Sequence, residues 1–219
     1  MWGWGGFSMI LADKLKGIES KVESFPAHGT MFITSEQPIT LIAGTDFPSN
    51  VEITIAFCGG GGSGGATFNT ATTTRAGGGY AGEVVTFLKT YSNGDTLPIS
   101  LGIGGSPVRA WSAPVSGKAG VDSIVDGITA KGGAGGSGTS GYLYRGLGNI
   151  RTTALGSDYD GATYGNSASG GQSSGAGHGG VGGEGSPGGG TNGSGGGASA
   201  VYKGVYSGGG GTGVALLTW

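Results

Sequence analysis

The chain has 219 residues, 56 of them glycine, with 36% hydrophobic residues, 11% charged residues and a net charge of −2. So little net charge excludes the clustered basic surface that binds nucleic acid by releasing counterions. A single cysteine, Cys58, excludes an internal disulfide framework, and disorder on glycine alone is a poor fit, because its usual companions, high net charge and few apolar residues, are missing.

Residues 1–28 form the first region. Leu11, Leu15, Ile18, Val22 and Phe25 recur at steps of four and three, which predicts a short amphipathic helix with Asp13 in its first turn and Pro26 as its stop. Gly17 in its middle costs about 1 kcal/mol relative to alanine, so the helix needs a surface to lie on. Trp2, Trp4 and Phe7 precede it with no core of their own. The helix and aromatics either pack back on the main domain or dock into another protein, and the docking reading is preferred. The opening MWGWGGFSMILADKLK has no basic stretch ahead of its apolar residues, as a secretory signal would. No apolar run reaches the ~18 residues of a membrane span. The expectation is a soluble protein made in a cytosol.

Residues 29–58 read as β-structure. TMFITS and ITLIAG are short, β-branched and bounded by turn residues, and Val51, Ile53, Ile55 and Phe57 alternate with Glu52, Thr54 and Ala56. Short connections predict a small antiparallel meander.

Residues 59–219 are dominated by glycine, in tracts at 59–65, 77–82, 102–105, 132–138, 170–190, 193–197 and 208–213. Strand-like pieces fall between them: EVVTFL, TLPISLGIG, SIVDGITAKGG and the final GVALLTW. A flexible linker has no use for an apolar strand after its last tract, so the tracts are predicted to be structural. Glycine can pack as left-handed extended helices with three residues per turn, whose backbones approach closely enough to bond one another. The predicted fold is therefore mostly irregular and β: a short N-terminal helix, a small meander, then a sandwich of packed polyglycine II helices with long exposed loops.

The remaining segments are polar and aromatic without period. They carry Phe68 and Arg75, then Arg109 and Trp111, then Tyr142, Tyr144, Arg145, Arg151, Tyr159 and Tyr164 within residues 139–169, and finally Tyr202 and Tyr206. Tyrosine, tryptophan and arginine among serine, glycine and asparagine make binding loops, because rigid aromatics give contact area at low entropic cost. A long insertion between rigid elements is also where function concentrates.

Reactive chemistry is sparse. His28 and His178 are the only histidines and lack metal-ligand spacing, Cys58 reads as a structural thiol, and SDYDG around Asp158 and Asp160 reads as a turn. No G-K-[ST] phosphate loop is present. The expectation is a protein that is not an enzyme and needs no cofactor or metal.

The ordered series FPSNVEITIAFCGGGGSGG, GGGYAGEVVTFLKTYSNGDTLPISLGIGG, GVDSIVDGITAKGGAGG and GGGGTGVALLTW resembles the glycine-rich domain of bacteriophage tail-fibre adhesins, above all those at the distal tips of T-even-type long tail fibres. The resemblance covers residues 45–219 and implies a polyglycine II domain, residues 59–219, presenting loops to a bacterial outer-membrane protein or lipopolysaccharide. It implies attachment of residues 1–28 to a trimeric fibre, for which Trp2, Trp4, Phe7, Leu11, Leu15, Ile18, Val22 and Phe25 are the candidates, and a place in the virion. The N-terminus does not match the family's attachment domain residue by residue. Two alternatives stay open: a structural cap or connector of a fibre, and an ice-binding glycine bundle. The second predicts long even triplets and few loop aromatics, the opposite of what is present.

Overall fold

The computed structural model describes residues 25–26, 28–67, 76–138, 190, 193 and 206–219. Eight strands run through them: β1 (Thr30–Ile33), β2 (Ile39–Ile42), β3 (Glu52–Cys58), β4 (Val84–Thr90), β5 (Thr96–Ser100), β6 (Ser123–Val125), β7 (Ile128–Ala130) and β8 (Ala215–Thr218). They form two four-stranded antiparallel sheets, ordered β1-β8-β3-β4 and β2-β5-β6-β7. No helix occurs among the described residues. The predicted helix, with its stripe from Leu11 to Phe25 and its stop at Pro26, lies outside them except for Phe25 and Pro26, which are not helical.

The strands arise where the sequence alternates, but the predicted meander does not form. β1, β2 and β3 do not pair with one another. β1 pairs with β8, β2 with β5, and β3 lies between β4 and β8. The reason is burial. β3 is buried on both faces at its C-terminal end, where Ala56 and Cys58 are as enclosed as Phe57, and only a central strand satisfies its backbone in that position.

Ile33, Ile53, Ile55, Phe57, Ala215 and Leu217 line the inner face of the first sheet, and Leu97, Ile99, Val125 and Ala130 that of the second; together they make one core, joined by Phe47 and Tyr91 packed edge to face. Asp126 and Gly127 close the β6–β7 hairpin with φ of 51° and 78°, the two positive values that a tight turn between right-twisted strands requires. Asp126 also accepts hydrogen bonds from Lys89 and from the Tyr91 hydroxyl, tying the hairpin to the end of β4.

Beyond Cys58 the backbone stays extended and its hydrogen bonds turn in three directions. Gly59, Gly62 and Gly65 donate to the carbonyls of Glu83, Tyr80 and Gly77, at 3.0, 2.8 and 2.9 Å. Gly60, Ser63 and Ala66 donate to Val121, Lys118 and Val115, at 2.9, 2.8 and 2.9 Å, and Gly61 and Gly64 to Gly211 and Gly208, at 2.8 and 3.0 Å. Each neighbouring segment is met at every third residue, so successive N–H groups point about 120° apart, as in a helix of three residues per turn. The carbonyls of Gly60 and Ser63 accept from Gly133 and Gly136, and that of Gly61 from Gly105. Residues 59–66 are thus a hub bonded to five other segments.

Glycine is required in this hub by space. None of its residues has φ in the left-handed region, whereas a Cβ on Gly59, Gly62 or Gly65 would run into the carbonyls of Lys131, Ala134 and Ser137. The same step of three recurs in this set, placing glycine Cα–H groups against backbone oxygens.

Candidate functional site

At one end of the hub the described parts of the extended segments are bonded together. Ala66 and Val115 form an isolated bridge there, Gly65 bonds to Gly77, Gly77 to Ser137, and Gly138 to the Ser116 hydroxyl. Thr67 and Ala76, which flank residues 68–75, and Gly138, which precedes residues 139–189, therefore belong to the same pole of the molecule. Ala66, Val108, Ala110 and Val115 fill a small apolar cluster beneath it.

Tyr206 enters this pole from far along the chain. It forms an antiparallel bridge with Arg109. The flanking residues lock it: Ser207 donates its N–H to the Val108 carbonyl at 2.8 Å, and the Ser207 hydroxyl accepts from the Val108 N–H at 3.0 Å. Ser207 is buried while its neighbour Tyr206 is 55% exposed, so the clip is internal and the phenol is presented outward.

The side chains then stack. The Arg109 guanidinium lies 3.8 Å from the centre of the Trp111 ring and 5.0 Å from that of Tyr206. Cation–π attraction of this kind contributes about 0.5–2 kcal/mol, more as water is excluded. The ion pairs among the described residues are Lys89–Asp126 and Lys131–Asp122, and neither involves Arg109. Its Nε is buried without a hydrogen-bond partner, as is the Thr67 hydroxyl. Trp111 is 52% exposed. The result is an outward-facing stack of two aromatic rings and a cation on a backbone fixed by hydrogen bonds.

The sequence thus singled out three residues that the fold brings together, Arg109, Trp111 and Tyr206. Phe68, Arg75, Tyr142, Tyr144, Arg145, Arg151, Tyr159, Tyr164 and Tyr202 lie outside the described residues, as do Trp2, Trp4, Phe7, Leu11, Leu15, Ile18 and Val22. Phe25 is half-buried and packs edge-on against Trp219, with ring centres 6.4 Å apart. Trp219 also donates its indole N–H to the Pro26 carbonyl and continues the β1–β8 ladder through Gly29. Sequence reasoning missed Thr67 and the Val108–Ser207 clip. A polar residue beside a glycine tract carries no signal of its own, and the clip joins positions 99 apart in the chain.

Cys58 is buried at the junction of sheet and hub, and burial pushes its thiol up to about 11. It sits on the outer side of the first sheet with Ala56 and Val214, next to Gly193, remote from the stack. Such a thiol is a packing group, because the nucleophilic thiolate is suppressed.

Residues 40–219 match the family model of a glycine-rich domain. No curated protein matches the chain significantly.

Proposed function

The chain belongs to the glycine-rich domain family, and we propose that it is a phage receptor-binding adhesin carried at the tip of a tail fibre. In this reading it recognises an outer-membrane protein or lipopolysaccharide and performs no catalysis. The extended segments are polyglycine II helices, residues 1–28 attach the chain to a trimeric fibre, and the protein is made in the host cytoplasm and carried in the virion.

The observation that carries the reading is the exposed Trp111–Arg109–Tyr206 stack at the pole where the bases of residues 68–75 and the start of residues 139–189 converge. A hub bonded in three directions gives loop bases a rigid mount, and rigidity lowers the entropic cost of binding. The polarity of the molecule supports it too. Trp219, against which Phe25 packs, follows Thr218, and Thr218 pairs with Thr54. From Thr54 to Ala66 the chain extends roughly 35–40 Å. Phe25 and Pro26, the last part of residues 1–28, therefore lie at the end away from the stack, which suits an attachment role for that segment.

The same contact fits a structural cap of a fibre that touches no receptor. Adsorption of the labelled protein to a panel of Gram-negative strains separates the two. The adhesin reading expects binding to some strains, lost when residues 139–169 are replaced by a short Gly/Ser loop. A protease-resistant protein that binds none of them is a cap.

A further inference from the structure

We infer that the Trp111–Arg109–Tyr206 stack is a subsite for an acidic saccharide, whose carboxylate or phosphate is taken by the edge of the Arg109 guanidinium while its ring face lies on an aromatic neighbour. The inference deepens the adhesin reading and rests on it for the source of the ligand.

Geometry supplies the first argument. The guanidinium carbon lies over both rings, 3.8 Å from the Trp111 centre and 5.0 Å from that of Tyr206, so the cation and the two aromatic faces form one cluster. The terminal N–H donors of a guanidinium lie in one plane and suit the paired oxygens of a carboxylate or phosphate. The second argument is charge. Neither ion pair among the described residues neutralises Arg109, and its buried Nε makes no hydrogen bond. Among the described residues the cation is held by π faces alone, and no carboxylate there pairs with it. Third, Trp111 and Tyr206 remain more than half exposed beside that edge. The C–H face of a sugar ring is apolar and flat, and it packs on an aromatic ring while its acidic substituent stays in the plane of the guanidinium. Fourth, the bridge between Arg109 and Tyr206 and the Val108–Ser207 clip fix the spacing before any ligand arrives. A site of three side chains binds one sugar unit weakly, and several copies on a virion multiply that affinity.

The test is ligand-observed NMR on the full chain with glucuronic acid, glucose 6-phosphate and glucose. Both acidic sugars should bind, with glucose at least tenfold weaker. Arg109→Lys keeps the charge and loses the planar edge, and should weaken the acidic sugars about tenfold. Trp111→Ala should abolish their signal; if that variant does not fold, Arg109→Lys carries the test alone. Equal binding of glucose, no binding of either acidic sugar, or an unaffected Arg109→Lys would overturn the inference. In parallel, the labelled chain is adsorbed to cells before and after surface protein is stripped by protease, with purified lipopolysaccharide and capsular polysaccharide as separate competitors. Adsorption that survives stripping and is competed by one of them supports an acidic glycan and identifies its source. Adsorption lost on stripping points to a protein receptor and overturns the inference while leaving the adhesin reading intact. A chain that binds acidic sugars and adsorbs to no strain keeps the subsite and overturns the adhesin reading.

Discussion

Ser63 and Lys118 hold each other by three hydrogen bonds: the Ser63 N–H donates to the Lys118 carbonyl at 2.8 Å, the Ser63 hydroxyl accepts the Lys118 N–H at 2.7 Å, and the same hydroxyl donates to that carbonyl at 3.5 Å. Ser63 interrupts the glycines of the hub and is fully buried. Its hydroxyl does what a backbone carbonyl does elsewhere in the bundle. Ser63→Ala leaves the Lys118 N–H without an acceptor and should cost about 1–3 kcal/mol, read as a lower urea midpoint at unchanged slope. An unchanged midpoint would mean that water replaces the hydroxyl and that the hub is looser than described.

Two glycine substitutions should separate space from conformation. A Cβ on Gly62 meets the Ala134 carbonyl, which is backbone and bonded in place, so Gly62→Ala should cost about 3 kcal/mol or more. Gly127 has open space around it and a φ of 78°, so Gly127→Ala should cost only about 1 kcal/mol, the strain of the left-handed region. Thermal unfolding of both variants measures the difference. The reverse order would show that the hub can spread to admit a methyl group.

Alkaline pH should destabilise the protein through two buried acids. Burial raises the Cys58 thiol from about 9 to about 11. The unfolded chain then loses the proton first, so stability is full below pH 9 and falls by about 2–3 kcal/mol as pH rises to 11. Tyr91 is raised as well, first by burial and then by its hydrogen bond to Asp126, so its contribution begins to fall above pH 10. Cys58→Ala should remove the first part of the slope and Tyr91→Phe the second. A flat profile between pH 8 and 11 in the native sequence would contradict both burials.

The tie between the β6–β7 hairpin and β4 can be measured through Asp126. Asp126→Gly keeps the positive φ of the turn and removes the carboxylate that accepts from Tyr91 and Lys89. Loss of the acceptor for a Tyr91 hydroxyl that is almost wholly buried should cost about 1–3 kcal/mol. In a Tyr91→Phe background the same change should cost less, because the stranded donor is gone. Equal costs in both backgrounds would show that the Tyr91–Asp126 bond contributes no coupling.

The amino-acid sequence by itself determined where strands form and where glycine replaces them. Alternation in residues 51–57 and the β-branched runs act over a few residues and appear as strands in the fold, although SIVDGITAKGG, read as one strand-like piece, turns at Asp126–Gly127 into the two strands of a hairpin. Pairing was not local. β1, close to the start of the described chain, joins β8 at its end, and β3 takes β8 and β4 as partners, because a doubly buried strand needs a neighbour on each side wherever in the chain it lies. The candidate site shows the same division. Aromatic and arginine residues in glycine-rich surroundings marked Arg109, Trp111 and Tyr206 as binding residues by type. Only the tertiary structure stacked them, because the segment after Tyr206 is drawn into the hub by Gly61 and Gly64 and brings the phenol to Arg109. Glycine tracts carry no side chains to specify their neighbours. Their register is decided by which backbones approach closely enough to bond, and that exists only once the chain is folded.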